Sequence, residues 1–166
     1  AAAMLSAVLL AGSVPVFGGA HPVPTEHPRL LGTRAELQGL ARERAEAYGR
    51  MVAVARGKDA DDHSRIMSLA LAAAIEGDAA LARKTVTQAL VFVDGPIRSG
   101  LVPFAEDLAL AGIAYDLCFE AWSPDERRRF HEYLNKTVDA NRESETHVFH
   151  NGWYGYKNWG IGIAAY

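Results

Sequence analysis

Between His147 and Trp159 the chain gathers two histidines, two asparagines, two tyrosines, two tryptophans, a phenylalanine and a lysine within thirteen residues. Aromatic faces stack on sugar rings. Asn, His and Tyr tips supply donors, acceptors and a proton that titrates near neutral pH. Gly152 and Gly155 let the backbone turn sharply or approach a ligand closely. A packed core also uses aromatics, but a buried segment seldom needs so many polar tips at once. The types and spacing therefore point to a ligand-facing surface suited to a carbohydrate.

The rest of the chain has to position that stretch. Its 166 residues are enough for one domain with a core, and 49% hydrophobic with 22% charged is globular composition. A formal net charge of -3 leaves no electrostatic footprint for nucleic acid. The basic triplet Arg127, Arg128 and Arg129 reads as one solvated helix face. The single cysteine, Cys118, excludes an internal disulfide and a cysteine-based metal site, and its apolar setting suggests an inert thiol. No ligand cluster points to a metal, and no cofactor is expected.

Residues 4 to 17 read as the apolar core of a secretory signal, with Gly18, Gly19 and Ala20 as small residues for cleavage. The basic start of such a signal is absent. The run is too short, and too interrupted by Gly12 and Pro15, for a stable membrane span. Residues 1–20 are thus expected to be a signal peptide, 21–32 an extended proline-rich linker, and 33–166 one partial helical domain. Export to the periplasm or the extracellular space follows from that reading. His21 and His27 sit among prolines and read as linker surface.

A capping box at Thr33 and Glu36 starts a helix expected to run to about Ala55. The Asp59–Asp62 cluster breaks it, and an almost wholly apolar helix follows from about Asp62 to Glu76. Gly77 is placed as its C-terminal cap and Asp78 as the next N-cap. A one-sided helix then reaches about Val93. A long apolar helix is expected from about Phe104 to Trp122. A second capping box at Ser123 and Glu126, with Pro124 at the first helical position, starts another. Asn141 to Thr146 reads as a polar loop. Buried and one-sided helices alternate without a convincing strand, which stacked antiparallel helix pairs satisfy. Asp107 and Asp116 could suggest an inverting glycosidase on an (α/α) barrel, but their spacing puts them on opposite faces. Asp116 reads instead as a buried hydrogen-bonded group or loop anchor.

Four stretches together resemble the N-terminal part of heparinase II/III-type and alginate-lyase-type polysaccharide lyases. They are His27 to Thr33; Leu69 to Asp78; Ala114 to Cys118 with Ser123 to Arg127; and His150 to Ala165. The resemblance spans roughly residues 27–166. It implies an all-α, incomplete (α/α) toroid of antiparallel helix hairpins, truncated here at its C-terminus, with an antiparallel β-sandwich domain beyond. It also implies cleavage of a uronate-containing polysaccharide or oligosaccharide by β-elimination. The family pairs Asn with His to neutralise the uronate carboxyl; here the order is reversed, as His150 and Asn151. On that resemblance Asn151 and His150 contact the carboxyl, and Tyr154 or Tyr156 transfers the proton. His147 is held in reserve, while Trp153, Asn158 and Trp159 shape a sugar subsite. These 166 residues alone are expected to be inactive. An (α/α)-barrel glycoside hydrolase and a non-catalytic helical carbohydrate-binding module are the competing readings.

Overall fold

The computed structural model describes residues 25–57, 61–97 and 101–148, the last with side chains from 106 to 137. Among them the chain is all-α: α1 (Arg34–Glu43), α2 (Ala45–Arg56), α3 (Asp62–Glu76), α4 (Ala79–Val93), α5 (Leu101–Leu117) and α6 (Pro124–Val148), with a short 3₁₀ turn at Phe119–Ala121. No helix among the described residues is long and apolar enough to cross a membrane.

The ends of these helices follow local chemistry. Thr33 and Glu36 form a reciprocal capping box at α1, and the Thr33 amide donates to the Glu36 carboxylate at 2.8 Å. Asp61 and Asp78 cap α3 and α4, each accepting an amide hydrogen bond at 2.9 Å. Gly77 closes α3 at φ 70°, a left-handed conformation that a side chain would strain. Ser123 and Glu126 cap α6 in the same reciprocal way as the first box.

The α3 helix is the hub, packing against α1, α2, α4 and α5. Its alanines, Ala70, Ala72, Ala73 and Ala74, are buried, so neighbouring backbones can approach closely. From α5, Leu108, Leu110, Ala111, Ile113 and Ala114 add a continuous buried run. α4 contributes one stripe, Val86, Ala89 and Val93, and turns its other face outward. Trp122 and Phe130 close one end of the core, with Tyr115 stacked on Phe130 at 4.3 Å. Trp122 donates its indole N–H to the Ala114 carbonyl at 3.3 Å, so its burial leaves that polar group satisfied.

Several sequence expectations are corrected here. The first long helix is two, because the backbone leaves helical geometry at Arg44 (φ -120°, ψ 47°). α5 starts earlier than expected, at Leu101, and stops at Leu117, where the chain tightens into the 3₁₀ turn before Trp122. Pro103 is accommodated in the first turn, where its missing N–H costs nothing. Asn141 to Thr146 is no loop: the backbone of α6 is helical through Val148.

Glu126 ties this frame together and gives it a pH dependence. It receives both guanidinium nitrogens of Arg83, at 2.7 and 2.5 Å, while Arg83 also donates to the Ala121 carbonyl. The Arg83 hydrogen bonds pull the carboxyl down from 4.5 to about 2. A depressed acid contributes stability that is full above its unfolded value and lost as pH falls through its folded one. Because Arg83 is half exposed, we expect about 1–2 kcal/mol to disappear between roughly pH 5 and pH 2. Urea unfolding across that range should show the loss, and Glu126→Gln should flatten it.

Candidate functional site

Two His–Asp pairs stand out, one toward each end of the parallel helices α3 and α5. The first joins the N-terminal segment to the body. Asp116, only 2% exposed, accepts from the amides of Arg29 at 3.0 Å and Leu30 at 2.9 Å, and its other oxygen lies 2.6 Å from His27 Nδ1. A buried carboxylate is tolerated only when so partnered. The His27 ring stacks on Phe119 at 3.9 Å, and the Arg127 guanidinium sits 3.7 Å from the same ring centre. Two groups that close cannot share one face, so Phe119 is held between an imidazole and a cation. Arg127 also donates to the carbonyls of Phe119 and Trp122, fixing the 3₁₀ turn.

These contacts overturn two sequence readings. His27 is no linker surface: its side chain is 11% exposed and bound to Asp116. Arg127 is not simply part of a solvated face, although Arg128 and Arg129 do make surface ion pairs, with Asp125 and Glu132 and with Asp94. Asp116 is the buried anchor that its lone charge in an apolar run suggested.

Beside this joint lies a cleft of about 230 Å³, lined in part by His27, Arg34, Asp78, Arg83, Asp116 and Phe119. Cys118 also borders it, but burial pushes the thiol up to about 12, so a thiolate nucleophile is not formed near neutral pH.

The second pair is His63 and Asp107, with Nε2 2.8 Å from Oδ1. Asp107 is buried in α5; His63, in the first turn of α3, is 34% exposed at its side chain. Phe92, from the end of α4, lies 5.4 Å from the imidazole, which shows that α3 and α4 run antiparallel. The sequence reading missed this pair: His63 fell in the first turn of the helix expected from about Asp62 to Glu76, and nothing local linked it to a carboxylate 44 residues away. A signal was present: a carboxylate isolated in an apolar helix requires a polar partner. Asp107 and Asp116 therefore serve two separate histidines and form no carboxylate dyad.

Among the described residues no group of three His, Cys, Asp or Glu side chains is placed to hold a metal. Of the residues singled out from sequence, His147 falls in the backbone of α6 with its side chain outside the described residues. His150, Asn151, Trp153, Tyr154, Tyr156, Asn158 and Trp159 lie outside the described residues altogether. Compared with family models, with curated proteins and with solved structures, the chain matches none.

Proposed function

We propose that this chain is the N-terminal helical portion of an exported polysaccharide lyase, cleaving uronate-containing polysaccharide by β-elimination. Its helices would form part of an (α/α) toroid of antiparallel hairpins. One observation carries the reading. Stretches that resemble the lyases at widely separated places in the sequence meet at a single joint. Asp116, from the third stretch, holds His27, Arg29 and Leu30, from the first. Gly77 and Asp78, which end the second, border the same cleft. Three of the four stretches thus come together at one place in the fold.

In the reaction proposed, the proton on C5 of the uronate is removed and negative charge builds on the carboxyl oxygens. The 4-O leaving group then departs as a proton reaches it. The C5 proton is weakly acidic, so the carboxylate must be neutralised and the developing charge stabilised. Asn151 and His150 are assigned to that task, and Tyr154 or Tyr156 to proton transfer. His147, Trp153, Asn158 and Trp159 are assigned to the sugar subsite. The hydrolase reading is disfavoured because Asp107 and Asp116 are each engaged by a histidine, far apart along α5.

The test is an assay of the protein encoded by the complete gene on alginate and on heparin-type polysaccharide. The reading expects ultraviolet absorbance from an unsaturated uronate to rise with turnover. New reducing ends without that chromophore would overturn it.

A further inference from the structure

The His63–Asp107 pair is built differently from the His27–Asp116 joint. His27 is enclosed and stacked; His63 keeps a third of its side chain open. Asp107, almost fully buried, accepts from Nε2 and so sets the neutral imidazole with its proton on that nitrogen. Among the described residues Nδ1 has no hydrogen-bond partner and is not enclosed, so its lone pair is left over. Half-buried Phe92 offers apolar surface beside it. An oriented acceptor next to an aromatic ring is the pairing that binds a sugar, hydroxyl to nitrogen and C–H face to ring.

The surrounding charge decides which part of an acidic sugar fits. Asp61 and Asp62 precede His63, and exposed Glu106 precedes Asp107; Arg65 already pairs with Asp62. Carboxylates so close disfavour a second anion and leave a neutral hydroxyl as the natural partner. Topology places the pair well. It lies near the N-terminal ends of α3 and α5 and the C-terminal end of α4. α6 sets out toward the same end, since Glu126 binds Arg83 and Arg129, one turn on, binds Asp94.

We infer that His63, oriented by Asp107, contacts substrate: its Nδ1 accepts a hydrogen bond from a sugar hydroxyl, with Phe92 packed against the ring. The identity of that sugar as part of a uronate chain rests on the lyase reading. Asp107 is a positioning residue that acts through His63.

The experiment uses the complete protein with nitrogen-15 in its histidines, titrated with alginate-derived and heparin-derived oligosaccharides. The His63 Nδ1 resonance should move and saturate with one of them, while that of enclosed His27 stays. In turnover, His63→Gln should raise KM about tenfold, the loss of one good hydrogen bond, with kcat changed far less. The glutamine amide can still donate to Asp107, so thermal unfolding should hardly shift, and His131→Gln, at an exposed histidine of α6 beside the Tyr115 hydroxyl, should leave KM alone. An unmoved His63 resonance at saturating oligosaccharide, or an unchanged KM in His63→Gln, would overturn the assignment. The two readings fail separately. Resonance movement without an unsaturated product keeps the subsite and removes the lyase, whereas elimination with His63 unmoved does the reverse.

Discussion

Replacing Asp116 with alanine should cost about 3–5 kcal/mol and release the segment from His27 to Leu30 from the helical body. One buried carboxylate satisfies two backbone amides and an imidazole, and its loss strands all three. The buried ring of Pro28 and the His27–Phe119 stack lose their positions with it. Asp116→Asn should fall between wild type and alanine, because the amide oxygen still accepts but carries no charge. Denaturant unfolding gives the magnitude, and limited proteolysis near Arg29 gives the location. An unchanged midpoint in Asp116→Ala would mean that the joint contributes nothing to stability.

The second large effect is expected in turnover. In the complete protein, Asn151→Ala and His150→Ala should each lower kcat about 100- to 1,000-fold while the protein stays folded. That is the usual cost of removing one group that stabilises developing negative charge. If both act on the same carboxylate, the double variant should fall well short of the product of the two losses. Near-normal turnover by either folded variant removes that residue from the mechanism.

The sequence carried much of the fold in its helix punctuation. Thr33, Gly77, Asp78 and Ser123 each mark an end by a local hydrogen bond or a left-handed backbone, so adjacent residues suffice to read them. The break at Arg44 left no such mark, with neither glycine, proline nor capping side chain to announce it. Asn, Ser and Thr between 141 and 146 suggested a loop because they compete for backbone hydrogen bonds, yet α6 continues through them. Weak local preference gave way to the helix already running.

Long-range pairing was legible only from one side. An aspartate in an apolar helix demands a partner, an inference drawn from sequence for Asp116 and not for Asp107, although both are paired. Nothing in the spacing identified His63, 44 residues from Asp107, or His27, 89 residues from Asp116. Prolines around His27 suggested a free linker; packing of Pro28 and stacking on Phe119 made it an anchor instead.

The most direct measurement is the fate of water oxygen in the cleaved chain. The protein from the complete gene is incubated with its uronate polysaccharide in water enriched in heavy oxygen, and the new ends are weighed. Elimination, which the account predicts, leaves an unsaturated end and takes no oxygen from water into the broken bond. Products that carry one solvent oxygen and a saturated end would contradict it.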